Sequence, residues 1–173
     1  MTRKGLAAVF SYMFVIMVSM AVLAMVVLSA NQIMTDNQEV YKYNEMTKNI
    51  SLLYNDIVDV SHTRFSNKVT VITNVDELSI DCDSETITGK IAYTKAFKTD
   101  TNKIIDGITI SKQMNKLVFE KTVNDNNIID LNCSSFIFNK GKNIINIYYL
   151  GYDEDNQLII MDINRLITDK NIE

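Results

Sequence analysis

The chain reads as an α+β protein: a long N-terminal helix, transmembrane and then amphipathic, followed by an antiparallel β-sheet or small β-sandwich head. Three observations predict this. An uncharged, almost wholly apolar run extends from Leu6 to Ala30, apolar residues then recur at steps of three and four as far as Val60, and from Phe65 onward the period drops to two. The expected organisation is a basic leader at 1–5, a long helix at 6–62 (6–30 transmembrane, 31–62 amphipathic) and a β-rich head at 65–173.

At about 1.5 Å rise per residue, a helix over 6–30 is roughly 37 Å long, enough to cross the ~30 Å hydrocarbon core of a bilayer with some tilt. A secretory signal peptide has an apolar region of only about 7 to 15 residues that ends at a small-x-small cleavage site, and only Ser29-Ala30 loosely provides such an end. Arg3 and Lys4 precede the span, whereas Asp36, Glu39 and Glu45 with only Lys42 follow it. The positive-inside bias places the N-terminus in the cytoplasm and the residues from Asn31 onward outside. That outer part carries 15 basic against 21 acidic side chains, which argues against a nucleic-acid partner.

Beyond the span, Ile33, Val40, Tyr43, Met46, Ile50, Leu53, Ile57 and Val60 form an apolar stripe on an otherwise polar helix. No Gly or Pro occurs between Leu6 and Val60, so one helix of some 55 residues is expected; a break, if present, would fall near Asn31-Gln32 or Thr35-Asp36-Asn37. A parallel coiled coil would also use such a stripe, but the steps last only about four heptads and include tyrosines.

The strand pattern begins with Val69 and Val71, continues through Leu78, Ile80 and Cys82, then Ile87, Ile91 and Tyr93. Further strands are expected over 104–110, 117–123, 128–138, 143–150 and 158–163. Turn composition marks 74–76, 83–85, 124–127, 139–142 and 153–156. About eight short strands with turns at regular spacing suit one antiparallel sheet, curled or doubled.

Cys82 shares strand parity with Leu78 and Ile80, and Cys133 with Ile129 and Leu131, so both should point inward. Both fall in the part placed outside, where disulfides persist. A bridge is expected, closing a loop of about 50 residues with a chain-entropy stabilisation near 4 kcal/mol; the alternative is two buried thiols.

Two acidic runs, 81–85 and 153–156, offer oxygen ligands, but neither has the glycine or the terminal Glu of an EF-hand loop, and turn chemistry accounts for both. No metal or cofactor is expected. His62, the only histidine, lies at the expected helix end, where a cation is favoured. The chain has no zinc-helix motif, no nucleophile elbow and no phosphate-binding glycine loop, so no enzymatic activity is expected. Asn49-Ile50-Ser51 and Asn132-Cys133-Ser134 match the N-glycosylation pattern; Asn49, read as lying on the polar side of the helix, is the better candidate.

Arg3-Lys4-Gly5 before an uninterrupted apolar helix, an amphipathic continuation and a β-rich head resembles the type IV pilin superfamily in its archaeal, class III signal peptide form. The resemblance spans the whole architecture and rests on a motif of about three residues. It implies that a prepilin peptidase recognises Arg3 and Lys4 and cuts between Gly5 and Leu6. Residues 6–30 then stay on the subunit, first in the membrane and later in a helix bundle with other pilin-like subunits. Bacterial members usually carry Glu at the fifth mature position, where this chain has Phe10, and the Gln-x-Ser-x-Glu signature of some archaeal precursors is also missing. Small residues, Ala7, Ala8, Ser11, Ser19, Ala21, Ala24 and Ser29, suit close helix approach. The resemblance thus implies a surface filament or pseudopilus subunit; the alternative is an uncleaved single-pass anchor displaying a β-sandwich that binds an envelope or motor component.

Overall fold

The computed structural model describes residues 3–64, 67–73, 75–92, 103–124, 128–138 and 141–166, with side chains from Phe10 onward. One helix, α1 (Arg3–Thr63), precedes ten strands: β1 (Lys68–Ile72), β2 (Glu77–Asp81), β3 (Thr86–Ala92), β4 (Lys103–Ile105), β5 (Ile108–Gln113), β6 (Lys116–Thr122), β7 (Ile129–Leu131), β8 (Phe136–Phe138), β9 (Asn143–Asp153) and β10 (Leu158–Leu166). Two compact units divide within α1, Met1–Gln38 and Glu39–Glu173. The expected long helix before a β-rich part is observed, and α1 is unbroken at both suggested break points.

In the first unit no described side chain is buried. The second unit takes in the last turns of α1 as well as every strand. Its strands form a four-stranded sheet of order β1-β9-β10-β7 and a six-stranded sheet of order β4-β5-β6-β3-β2-β8. All pairings are antiparallel except β10 with β7. A single apolar core combines Met46, Ile50, Leu53, Ile57 and Val60 of α1 with the inward residues of both sheets. The predicted stripe therefore begins at Tyr43, partly buried edge-to-face on Phe119, with ring centroids 5.3 Å apart. Ile33 and Val40, read as part of it, are exposed, because on a 3.6-residue turn they fall nearly opposite Met46 and Leu53.

α1 ends in the left-handed manner: Arg64, with φ 53°, donates its backbone N–H to Val60 O at 2.9 Å. Its guanidinium sits 5.6 Å from the Tyr152 ring centroid. In β1 the inward residues are Thr70 and Ile72, whereas Val69 and Val71 face outward. The polar Thr70 goes inside because its hydroxyl donates to Asp56 Oδ2 at 2.6 Å, so the buried pair satisfies itself.

The stretch read as one strand over 104–110 is the β4–β5 hairpin, turned by Asp106-Gly107 with both residues at positive φ, the geometry of a type I′ turn. The stretch over 128–138 is likewise divided: β7 belongs to the four-stranded sheet and β8 to the six-stranded one. The expected turn residues 74, 125–127 and 139–140, the strand start at Phe65 and the strand residue Tyr93 lie outside the described residues.

Candidate functional site

The most unusual surface is the apolar one in the first unit. Among the described residues, α1 is the one helix long and apolar enough to cross a membrane, and none of its most apolar window is buried. Phe10, Tyr12, Met17, Met20, Leu23 and Leu28 are all at least two-thirds exposed or close to it, at 65, 76, 70, 71, 67 and 70 %. Soluble proteins rarely leave so large an apolar surface uncovered. Two hydroxyls in this region bond to the helix backbone: Ser19 Oγ donates to Val15 O at 2.8 Å and Thr35 Oγ1 to Asn31 O at 2.9 Å. A helix that satisfies its own backbone groups is suited to a medium without water.

Ser11, Ser19, Ala21, Ala24 and Ser29 are exposed along this stretch. Arg3, Lys4, Gly5 and Leu6 lie in the first turns of α1 by backbone; their side chains, with those of Ala7 and Ala8, lie outside the described residues.

In the second unit Cys82 and Cys133 form a disulfide with Cα atoms 5.7 Å apart and 51 positions apart in sequence. It ties the end of β2 to the segment that carries the chain from β7 to β8, and hence from one sheet to the other. Ser135 Oγ accepts from Cys82 N at 3.0 Å and donates to Asp81 Oδ1 at 3.2 Å, reinforcing the same junction.

Both acidic runs are hairpin turns built alike. Asp81 Oδ1 accepts from the backbone N–H of Asp83 and Ser84 at 3.1 and 3.3 Å, and Asp153 Oδ1 from Asp155 and Asn156 at 3.0 and 3.3 Å. Each turn closes with a left-handed residue, Glu85 at φ 52° and Gln157 at φ 56°. Hydrogen bonds from Ser84, side chain and backbone, chiefly hold the Asp81 carboxyl below its usual range; Asn156 does the same for Asp153. These carboxylates are thus engaged by their own loops. Among the described residues no group of three His, Cys, Asp or Glu is arranged to hold a metal ion.

His62 lines a cavity of roughly 360 Å³ at the end of α1, together with Tyr54, Val58, Val123, Ile129 and Ile159. The walls are mainly apolar, and the lining residues include no carboxylate, no lysine and no second histidine beside the imidazole. Nearby, Lys121 is buried, its Nζ 4.2 Å from the Tyr54 ring centroid and donating to Asp106 O at 3.2 Å, so its charge is spent on holding the β4–β5 turn.

The two glycosylation motifs fare differently. Asn49 faces the core at 4 % exposure and its Nδ2 donates to Thr73 O at 2.9 Å, so the expectation that it lies on the polar side of the helix is corrected. The atom that would receive a sugar is inside. Asn132 is exposed, between the inward Leu131 and the disulfide-bonded Cys133. A polar patch on alternate residues of β9 and β10 escapes the sequence reading; its signal is the interleaving of Asn146 and Tyr148, and of Asp162 and Asn164, with inward isoleucine and methionine, although Asn146 is itself buried.

No family model matches the chain, and no curated protein or solved structure shows significant similarity to it.

Proposed function

We propose that this protein is a pilin-like structural subunit. It is held in the membrane by residues 6–30, with its N-terminus cytoplasmic and its β head outside, and is assembled through that helix into a surface filament or pseudopilus. The observation that carries the reading is the helical surface from Phe10 to Ala30, almost wholly apolar and uncovered by any part of the first unit. Lipid covers such a surface in one state and neighbouring helices cover it in the other, so one segment serves both storage and assembly. The disulfide supports an extracytoplasmic head, because such bonds persist in oxidising compartments.

On this reading a prepilin peptidase hydrolyses the Gly5–Leu6 peptide bond, with Arg3 and Lys4 as its recognition residues, and the remaining partners are other pilin-like subunits. The head contributes shape and surface rather than catalysis.

Mass spectrometry of the N-terminal peptide, on protein from native membranes and from sheared surface material, tests the proposal. A chain beginning at Leu6 in the sheared fraction is expected. An intact N-terminus confined to membranes would replace this reading with that of a permanent single-pass anchor displaying the head, and a start near Asn31 would sink both.

A further inference from the structure

The outer face of the four-stranded sheet carries a polar patch on its two central strands, flanked by Val69 of β1 and by Ile144 and Leu166. Ile145, Ile147, Met161 and Ile163 point into the core, so Asn146 and Tyr148 of β9 and Asp162 and Asn164 of β10 point outward. The register sets Asn146 opposite Asn164 and Tyr148 opposite Asp162. Within each strand the pair is joined: Asn146 Nδ2 donates to Tyr148 Oη at 2.9 Å, and Asn164 Nδ2 to Asp162 Oδ2 at 2.6 Å. Asn146 itself is only 6 % exposed and its Oδ1 is buried, so the accessible groups of the patch are those of Tyr148, Asp162 and Asn164.

Asn132 continues this surface. β7 runs parallel to β10 with Leu131 beside Met161, both inward, and Asn132 N donates to Met161 O at 2.8 Å. Asn132, one position past the end of β7, is exposed, and continuing the register of β7 and β10 by one step sets it level with Asp162, the next outward position of β10. The accessible glycosylation motif and the polar face therefore adjoin.

We propose that Asn132 carries an N-linked saccharide and that the saccharide lies along this face, hydrogen-bonded to Asp162, Asn164 and Tyr148. Carboxylate, amide and phenol groups on a flat surface offer the mixed donors and acceptors that vicinal hydroxyls require. In the modification, Asn132 Nδ2 attacks the anomeric carbon of a lipid-phosphate-linked saccharide supplied by an oligosaccharyltransferase. The new C–N bond replaces the anomeric C–O bond, the lipid phosphate leaves with the electron pair, and one Nδ2 proton passes to a base of the transferase. The inference rests on the extracytoplasmic placement of the head.

Glycopeptide mass spectrometry of the full chain from native cells, digested without reduction, reads Asn132, Asn49 and the Cys82–Cys133 bond together. A saccharide on Asn132, none on Asn49 and an intact disulfide are expected. A bare Asn132 with the disulfide intact overturns the proposal alone; a bare Asn132 with free thiols overturns the extracytoplasmic placement as well. The seating of the sugar is tested by timed exoglycosidase trimming of the native protein against Asp162→Ala and, separately, Asn164→Ala, both on the solvent side of β10. Trimming several-fold faster in the variants, at unchanged occupancy of Asn132, is expected, and equal rates would show that the sugar does not rest on the face.

Discussion

Gly89 in β3 lies directly beneath Met46 of α1: a Cβ at position 89 would meet Met46 Sδ, approach Met46 Cγ to 2.9 Å and stand 3.0 Å from Ile50 Cδ1. The helix sits this close to the six-stranded sheet because the sheet presents hydrogen rather than a side chain at the contact. Gly89→Val is expected to cost about 1–3 kcal/mol by overpacking. Denaturant unfolding should show part of that recovered in the double variant with Met46→Ala, since the two sites share one space.

On the other sheet the link is polar. Asp56 accepts from Thr70 at 2.6 Å and pairs with Lys68 Nζ at 2.9 Å, while Asp59 takes the same ammonium at 2.6 Å. Asp56→Ala leaves a buried hydroxyl unpaired and should cost about 1–3 kcal/mol in denaturant unfolding. Hydrogen bonds to Asp59 and then Asp56 raise the Lys68 pKa above its usual 10.5. The pair therefore stabilises the fold below that value, and the contribution disappears as pH rises through the folded-state value. Alkaline melts of Lys68→Met should lack that part of the decline.

At the acid end the relevant group is Glu77, whose carboxylate accepts from Lys90 at 2.9 Å and Lys116 at 3.1 Å. These bonds, Lys90 first, lower its pKa from 4.5. Its contribution is present above that value and is lost as pH falls through the depressed one. With about a third of the side chain exposed, the contribution is small, so the expected result is a modestly flatter acid limb for Glu77→Gln in a pH series of thermal melts.

Loss of the Cys82–Cys133 bond, by Cys133→Ser or by reduction, frees a loop of 51 positions and should cost about 4 kcal/mol on chain-entropy grounds. Hydrogen exchange should show β7 and β8 opening first, because each has only three residues and both flank the released junction.

Bulky substitutions at Ala21 and Ala24, such as Ala→Leu at both, are expected to block filament assembly while leaving membrane insertion intact. Electron microscopy of surface material, with membrane fractionation alongside, checks this, and normal filaments would remove these positions from the packing role.

Much of the architecture follows from local pattern. The length of the apolar run, the lack of Gly and Pro between Leu6 and Val60 and the change of period near Phe65 are enough for a helix of this extent and a β head, because hydrophobic periodicity is a property of neighbours in sequence. The inward parity of Cys82 and Cys133 is of the same kind, and the bond is there. The Asp106-Gly107 turn is equally local, but the apolar residues on either side of it, Ile104, Ile105, Ile108 and Ile110, give one continuous strand-like run.

What the sequence by itself determined, then, is which residues are apolar, in what rhythm and with which backbone freedoms. Only the tertiary structure decided which face each segment turns to the core. Asn49 and Thr70, polar and periodically unremarkable, are buried because Thr73 and Asp56 stand opposite them, and Val40, apolar and nearly in step, is exposed because it falls off the buried face of α1. The hairpins are local, but the joins of β1 to β9, β7 to β10, β3 to β6 and β2 to β8, and with them the division of 128–138 between two sheets, depend on pairings between residues 24 or more positions apart, and chain-local chemistry carries no record of such partners.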